Sequence, residues 1–276
     1  MKLRSFFTVF AVFYWLILVV ISIYFVQIYS INLATIGMML TGLLPIGFFY
    51  GLNLATQPRT SARQILLTLF ILLNSLLALT KYKEFGVFIM LLYFGGFVTW
   101  LLYLYWYSYL DIQESSVLKL GNTLPDLTFS TYDNHPFYSS SLLGKKVVYV
   151  FYRGNWCPVD MAQIKELCKQ YDYIQTLGGE IVLVSPQPHA ESKKLAELHK
   201  IDFRFLTDDE NKMACLLEIE NKYGVPKGIG MSKYDVDTVY PTVIITDELG
   251  KIIYLDQTDN YRVRPAPEQY MEVLKS

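Results

Sequence analysis

Residues 5–58 contain no Asp, Glu, Lys or Arg, and this restricts what the chain can fold into more than any other feature. Residues 64–80 and 85–110 are also free of these charges. A helix crosses a bilayer with about 20 apolar residues, whereas a soluble helix of that length keeps a polar face. The sequence therefore predicts four transmembrane helices, at about residues 6–28, 31–53, 64–80 and 85–109.

Charge divides the chain into two parts. Residues 1–110 carry six basic residues and one acidic residue, and residues 111–276 carry 18 basic and 24 acidic residues. An acidic soluble part does not gather phosphates, so nucleic acid is not an expected partner. We predict a membrane domain at 1–110, a linker at 111–120 and a soluble domain at 121–276, which makes the chain a multi-pass integral membrane protein with the lipid bilayer as a partner.

The positions of the basic residues indicate the orientation. Lys2 and Arg4 precede the first span, and Arg59 and Arg63 follow the second. This pattern places the N-terminus inside, and four spans then return the soluble domain to the cytoplasmic face. Two lysines between the third and fourth spans, partly offset by Glu84, oppose this orientation.

The predicted membrane domain has the composition of an anchor. Its spans carry no ionisable residue in their interior, where such residues usually mark ion pathways. No His or Cys occurs before residue 111, which excludes histidine-ligated haem and a thiol relay. The aromatic stretch 100–109 is typical of an interfacial belt rather than of a ligand pocket. Four glycines are expected to allow close helix packing, namely Gly42, Gly47, Gly95 and Gly96.

The soluble part alternates strand and helix patterns and predicts an α/β layered domain. The sequence VVYVFY, residues 147–152, is typical of a buried parallel strand. Residues 224–240 form a long irregular excursion, and loops of that size tend to be functional. The other predicted elements are a hairpin at 127–138, helices at 158–177, 189–200 and 209–223, strands at 180–185 and 203–208, a hairpin at 241–256 and a helix from about 267.

The stretch FYRGNWCPVD, residues 151–160, carries the best candidate for chemistry. Cys157 lies in a turn from strand to helix, with Pro158 in the first helical turn. Free backbone N–H groups and the helix dipole stabilise a thiolate there, and such sites lower a cysteine pKa. Arg153 would add positive charge. We therefore expect a thiol that reacts near neutral pH; the alternative is a buried cysteine that acts as a small hydrophobic residue.

Residues 121–276 resemble the alkyl hydroperoxide reductase/thiol-specific antioxidant group, the peroxiredoxin-like branch of the thioredoxin fold. The matching stretches are GNTLPDLTF, GKKVVYVFYRGNWCPV, EIVLVSPQP, YPTVIITDELGKIIY and DNYRVRPAPEQ. The resemblance implies that Cys157 is catalytic and that Arg153, Gly154, Asn155, Trp156 and Pro158 form the active-site turn with Asp160. It also implies a peroxide or disulfide substrate and an external thiol reductant such as thioredoxin or glutathione. The three histidines and three cysteines have no metal-ligand spacing, so we expect no metal, and we expect no cofactor.

The strand Tyr240-Pro241-Thr242 is the second part of the implied site. In thioredoxin-like folds the matching proline is cis and packs against the active-site turn, so we expect a cis bond before Pro241. A trans proline at the start of a strand is the alternative.

The sequence departs from the family pattern at three positions. Peroxidases of this group carry Pro-x-x-x-Thr/Ser-x-x-Cys, and here those positions are Val150 and Gly154. Many relatives with a Trp-Cys-Pro turn have a second cysteine where this chain has Asp160. The Asp160 carboxylate would either raise the pKa of Cys157 or help to move a proton, and both remain open.

A resolving cysteine is not evident. Cys168 lies 11 residues after Cys157, about 16 Å along an intact helix, whereas a disulfide needs Cα atoms within roughly 7 Å. Cys168 and Cys215 are possible resolving residues but are expected to be ordinary helix residues. A cycle with one cysteine and an external thiol is the simplest assumption. Arg262 and Arg264 are expected to be solvated or salt-bridged rather than catalytic.

Three functions are compatible with these observations. The leading one is a membrane-anchored, peroxiredoxin-like enzyme that reduces hydroperoxides through Cys157. The second is a thiol-disulfide exchange protein, favoured by Gly154 in place of a hydroxyl residue. The third is a non-enzymatic interaction module with a redoxin fold. The sequence leaves the oligomeric state open.

Overall fold

The fold is described from a computed structural model that covers residues 2–199, 201, 203–228 and 234–275. The chain divides into two compact units. One comprises Phe6–Leu54 and Thr60–Tyr109, and the other comprises Met1–Ser5, Ala55–Arg59 and Leu110–Ser276. We call the first the helical unit and residues 110–276 of the second the C-terminal domain.

The helical unit is built from apolar helices. Its elements are α1 (Lys2–Tyr29), α2 (Leu33–Leu54), α3 (Ile65–Leu79), α4 (Tyr82–Phe85) and α5 (Val87–Leu102), which continues as one π-helical turn over Tyr103–Tyr107. Within the described residues, three helices are long and apolar enough to cross a membrane: α1, α2 and α5 with its extension. The 15-residue α3 spans about 22 Å, which is less than a hydrocarbon core of about 30 Å.

Glycine residues allow the helices of the helical unit to pack closely. A Cβ added to Gly96 would lie 2.6 Å from Leu18 Cδ1, and one added to Gly42 would lie 2.7 Å from Trp15 O. The expected packing role is confirmed for these glycines and for Gly95, but it is wrong for Gly47, which has nothing within 4 Å of an added Cβ. Close approach at such positions lets backbones contact directly.

The C-terminal domain contains a seven-stranded mixed sheet in the order β2-β1-β5-β4-β3-β8-β9. Its strands are β1 (Thr128–Thr131), β2 (Pro136–Tyr138), β3 (Lys146–Phe151), β4 (Gly179–Ser185), β5 (Arg204–Thr207), β8 (Thr242–Thr246) and β9 (Ile252–Gln257). β3 pairs in parallel with β4, and β4 pairs in parallel with β5. β8 pairs antiparallel with both β3 and β9, and β1 pairs antiparallel with β2. The predicted α/β domain and both hairpins are confirmed.

Alternation along the central strand divides the core between the two faces of the sheet. Val148 and Val150 of β3 belong to one apolar cluster, whereas Tyr149 and Phe151 belong to the other, because successive side chains of a strand point to opposite faces. Helices α6 (Pro158–Thr176), α7 (His189–His199) and α9 (Pro267–Lys275) contribute to the first cluster. The buried sheet is the rigid platform from which the turn after β3 projects.

The predicted helix at 209–223 is wrong. The structure has a 3-10 turn at Asp209–Asn211, a short α8 at Lys212–Leu216 and a strand β6 at Glu220–Asn221, which pairs with β7 at Thr238–Val239. Four non-glycine residues in this stretch have a positive φ, namely Glu210, Asn211, Glu218 and Tyr223. This conformation interrupts a right-handed helix.

Candidate active site

Cys157 lies where β3 passes into α6. It is the residue that caps the N-terminus of α6, with φ −91° and ψ 112°, and Pro158 follows in the first turn. The backbone N–H of Cys157 donates to Gly154 O at 3.1 Å, and its carbonyl accepts from Met161 N–H at 3.1 Å. The residues 153–157 therefore form a tight turn, and proline at the next position fixes the start of the helix.

The expected low pKa of Cys157 is wrong for this conformation. The residue is 1% exposed. The pKa of the Cys157 thiol is raised to about 12, first by burial and then by the Asp160 carboxylate. The positive charges of Arg153 and Arg264 and a hydrogen bond from the Asp160 backbone lower that pKa, but by less. Loss of hydration penalises the thiolate more than nearby dipoles and charges stabilise it.

Asp160 is the centre of the buried charges beside Cys157. Its side chain is fully buried; Oδ2 accepts the Arg153 backbone N–H at 2.8 Å, and Oδ1 accepts Arg264 Nη2 at 2.8 Å. Of the donors on Arg264, Nε and Nη1 are buried without a hydrogen-bond partner in the described part of the chain. Asp160 is therefore the carboxylate that compensates the buried guanidinium of Arg264, since a buried charge needs a partner.

Arg153 joins the turn to two other segments. Its guanidinium Cζ lies 4.7 Å from the ring centroid of Trp156 and 5.3 Å from that of Tyr261. Its Nη2 donates to Gly224 O at 2.5 Å, and its own carbonyl accepts from Thr238 Oγ1 at 2.8 Å. These contacts fix the cation near the thiol, and the aromatic faces add cation–π attraction.

Gly154 cannot be replaced by a hydroxyl residue without strain. Its φ is +142°, and a Cβ added there would lie 2.7 Å from Trp156 Nε1. Residues with a side chain rarely adopt such a φ. The departure from the peroxidase pattern at this position is therefore part of the local backbone conformation.

Asn155 bonds to three residues that are distant from it in sequence. Its backbone N–H donates to Gln187 Oε1 at 2.8 Å, and its Nδ2 donates to Glu191 Oε2 at 2.7 Å. Its Oδ1 accepts the hydroxyl of Tyr234. Gln187 is itself held by Tyr152 OH and Ser192 Oγ, at 2.9 and 3.2 Å from its Nε2.

The strand Tyr240-Pro241-Thr242 lies beside the end of β3, but its proline is not cis. Thr242 pairs with Phe151, two residues before Arg153. Among the described residues no peptide bond is cis, so the expected cis bond before Pro241 is wrong. Pro241 precedes the first ladder residue of β8 and has no N–H to lose, and a trans proline is tolerated at such a position. The Tyr240 N–H bonds to Ile219 O at 2.7 Å.

The other two cysteines lie apart from this turn in sequence and are free thiols. Cys168 is half-buried on the unbroken α6, and burial raises its pKa to about 11. Cys215 is exposed on α8, and its pKa is also raised, first by burial and then by Glu220. A resolving role for either cysteine remains a prediction.

The structure corrects the expectation for Arg262 and Arg264. They are 0% and 3% exposed, so neither is solvated, while the expected salt bridge is confirmed for Arg264 by its pair with Asp160. Sequence reasoning did not single out Gln187, Glu191 or Tyr234. The available signal was the irregular excursion at 224–240, which supplies Gly224, Tyr234 and Thr238; its residues 229–233 lie outside the described part.

The described residues contain no group of three or more His, Cys, Asp or Glu that could hold a metal ion. A mixed sheet with one cysteine in the turn between β3 and α6, flanked by buried Arg and Asp, defines a thiol-based redox class of domain. Residues 120–255 match the model of the AhpC/TSA family. This part of the chain is an AhpC/TSA domain, in the peroxiredoxin family.

Curated relatives agree with this assignment over a limited stretch. The chain is 28% identical over 109 residues to a chloroplastic peroxiredoxin Q of Sedum lineare, covering 40% of this chain and 55% of that protein. It is 26% identical over 109 residues to the peroxiredoxin Q of Triticum aestivum, covering 40% and 48%. The chain spans about half the length of the curated relatives it matches.

Solved structures are similar at low identity. Reduced Prx3 from Vibrio vulnificus is 21% identical with a TM-score of 0.49, covering 58% of this chain and 99% of that chain. Peroxidoxin BcpB from Mycobacterium tuberculosis is 19% identical with a TM-score of 0.44, covering 57% and 97%.

Proposed function

We propose that this protein is a membrane-anchored thiol peroxidase that reduces hydroperoxides through Cys157 with an external thiol. The observation that carries the proposal is the position of Cys157 in an AhpC/TSA domain, at the N-terminus of α6, where the positive charges of Arg153 and Arg264 favour the thiolate. A thiolate is the nucleophile in such chemistry. Both cations and the Asp160 backbone N–H favour that thiolate once water reaches it.

The reaction proceeds in two halves. The Cys157 thiolate attacks the terminal peroxide oxygen, the O–O bond breaks, and the alkoxide leaves and takes a proton to become an alcohol, while Cys157 becomes a sulfenic acid. An external thiol then attacks the sulfenic sulfur and releases water, which leaves a mixed disulfide. A second external thiol attacks that disulfide, restores Cys157 and leaves as an oxidised thiol pair.

Burial of Cys157 adds a condition to this cycle. Cys157 is only 1% exposed, so we infer that the turn 153–157 opens before the first half-reaction. In the opened turn the desolvation that raises the pKa is removed, and the positive charges remain. Asp160 is a positioning residue here, since it holds the Arg153 backbone and Arg264.

The apolar helices favour a membrane anchor with four crossings. α1, α2 and α5 with its π-helical extension have the length, and α3 would be the fourth crossing, with flanking residues Gln64 and Thr80 reaching the interface. An even number of crossings returns the C-terminal domain to the side of the N-terminus. With the N-terminus inside, this places the C-terminal domain on the cytoplasmic face, which reporter fusions at the C-terminus check. Activity of a reporter that works only outside the cytoplasm would contradict this orientation.

Thiol-disulfide exchange is the second candidate function. It is favoured by Gly154, whose φ of +142° and contact with Trp156 exclude the hydroxyl that peroxidases of the resembling group carry. A disulfide substrate needs no hydroxyl to activate a peroxide. In this case the thiolate attacks a disulfide sulfur directly.

Turnover of purified full-length protein tests both candidates. Consumption of hydrogen peroxide and of an organic hydroperoxide is followed with excess dithiothreitol, and reduction of a model disulfide is followed separately. We expect Cys157→Ser to abolish hydroperoxide consumption, and Cys168→Ser and Cys215→Ser to keep it. Equal rates for wild type and Cys157→Ser would overturn the proposal. Turnover of the disulfide alone would favour the second candidate.

A further inference from the structure

The side chains of Glu191 and Tyr234 both bond to the side chain of Asn155, two residues before Cys157. Asn155 Nδ2 donates to Glu191 Oε2 at 2.7 Å, and Asn155 Oδ1 accepts from Tyr234 OH. Glu191 lies on α7 and also accepts from Lys194 Nζ at 2.7 Å. The Asn155 side chain therefore attaches the turn to two segments that are separate from it in sequence, in addition to the backbone bond from Asn155 to Gln187.

The segment that carries Tyr234 holds the turn at two further points. Gly224 O accepts the Arg153 guanidinium at 2.5 Å, and Thr238 Oγ1 donates to the Arg153 carbonyl at 2.8 Å. Gly224, Tyr234 and Thr238 thus bond to residues on the same turn. Trp156, between these attachments and the thiol, has its Nε1 buried without a hydrogen-bond partner in the described part. The hydrogen bonds that attach the turn to these segments are therefore made by Arg153 and Asn155 and not by the Trp156 indole.

We propose that Tyr234, Asn155 and Glu191 form a latch that keeps Cys157 in its buried position, and that release of this latch exposes the thiol to substrate. We call these three residues the Asn155 latch. The inference rests on the proposed function of Cys157 and adds its control: the latch residues position the turn and do not touch the reacting atoms. Tyr234 is its weakest member, because its ring is only partly buried and water can replace its hydrogen bond.

The described residues Gly224, Tyr234 and Thr238 then share a role at the turn. A reductant or substrate that binds Tyr234 in place of Asn155 would open the site at the moment of docking. The thiol would remain protected from oxidants between encounters. Such control suits a thiol that would otherwise be oxidised progressively when it is exposed.

Site-resolved alkylation tests the latch. Full-length protein in detergent micelles is treated with iodoacetamide, and mass spectrometry gives separate rates for Cys157, Cys168 and Cys215. One hydrogen bond between neutral groups contributes about 0.5–1.5 kcal/mol, so we expect Tyr234→Phe to raise the Cys157 rate by about 2- to 10-fold. The rates at Cys168 and Cys215 should stay unchanged, because the fold outside the turn is intact.

Tyr254→Phe is the matched control. It removes the same hydroxyl from the same domain, where Tyr254 OH donates to Gln269 Oε1 at 3.3 Å, away from the latch contacts. We expect wild-type rates at all three cysteines. Glu191→Ala, which removes the other partner of Asn155, should raise the Cys157 rate in the same direction as Tyr234→Phe.

Two results would overturn the latch. One is a Cys157 rate that is unchanged in both Tyr234→Phe and Glu191→Ala. The other is an equal rise at Cys157 and Cys168, which lie on the same helix, because this would report general loosening. Alkylation requires no peroxide, so a protein that fails to consume hydroperoxides but shows the selective rise would keep the latch and reject only the peroxidase.

Discussion

The two units of this protein bury polar groups of different kinds. In the helical unit the buried polar side chains are neutral and bond to one another or to the backbone: Ser22 Oγ lies 2.7 Å from Tyr93 OH, and Trp15 Nε1 donates to Gly96 O at 3.2 Å. In the C-terminal domain the side chains of Arg264 and Asp160 are buried as an ion pair. This buried ion pair acts on Cys157, because the positive charge of Arg264 favours the thiolate form.

The difference follows from the expected surroundings of each unit. A buried charge requires a partner of opposite sign, and breaking such a pair costs far more than breaking a neutral hydrogen bond. A helix surrounded by lipid avoids that dependence by carrying neutral polar groups only. The C-terminal domain accepts it, since Arg153 and Arg264 are the groups that favour a thiolate at Cys157.

The largest expected effect is the loss of the buried ion pair. Asp160→Asn keeps the shape but removes the charge that faces Arg264, so we expect the C-terminal domain to lose about 3–5 kcal/mol of unfolding free energy. Denaturant titration of the full-length protein in micelles measures it. Lys145→Gln is the control, because Lys145 and Glu180 form an exposed ion pair at 2.9 Å worth about 1 kcal/mol or less. Equal losses in the two variants would contradict the comparison.

A hydroxyl residue placed at the peroxidase position should be harmful. We expect Gly154→Ser to destabilise the C-terminal domain by about 2–4 kcal/mol, because backbone strain at positive φ and contact with Trp156 Nε1 add together. Gly178→Ser isolates the first contribution, since Gly178 has φ +77° and no atom within 4 Å of an added Cβ. A stable Gly154→Ser protein with faster peroxide turnover would show that this turn adapts to the peroxidase pattern.

Ionisation of Cys157 should destabilise the domain at alkaline pH. The folded pKa, about 12, exceeds the ordinary value of 9.0, so the unfolded chain ionises first and stability falls as pH rises above about 9. Between pH 9 and 10.5 we expect wild type to lose about 2 kcal/mol relative to Cys157→Ser. The tyrosines titrate in both proteins, so their contribution cancels in the difference between the two unfolding free energies. A constant difference across this range would show that the thiol is hydrated in the native state.

The smallest expected effect lies in the helical unit. Ser22→Ala removes the hydroxyl that lies 2.7 Å from Tyr93 OH, and hydrogen bonds between apolar helices contribute about 0.6 kcal/mol on average. Unfolding in mixed micelles with increasing sodium dodecyl sulfate measures the change. A loss of 3 kcal/mol or more would place this neutral pair on the same level as Asp160 and Arg264.

Strand and helix positions in the C-terminal domain were predictable because each has a local signal. Apolar β-branched residues mark β3 and β4, and Pro158 marks the start of α6 to the residue. The helix predicted at 209–223 failed because its pattern is helical while Glu210 and Asn211 take positive φ. The carboxylate of Asp208 accepts the Met213 and Ala214 N–H groups at 2.9 and 2.8 Å, and this local contact holds the start of α8.

The sequence predicts the turn that carries Cys157 but not the burial of that residue. The sequence places Cys157 at the helix N-terminus, and the positive end of the dipole suggests a low pKa. Burial depends on segments far along the chain, and Gly224, Thr238 and Arg264 all reach the turn from 71 or more residues beyond their partners. Local reasoning gave the stabilising interactions and missed the desolvation that exceeds them.

The guanidinium of Arg153 over the Trp156 ring gives the protein an optical probe at its own site. Of four tryptophans, Trp156 is the only one after residue 109, and its ring centroid lies 4.7 Å from the Arg153 guanidinium carbon. With phenylalanine at positions 15, 100 and 106, emission would come from this ring alone. Stopped-flow fluorescence would then record each opening of the turn in real time, without any added label.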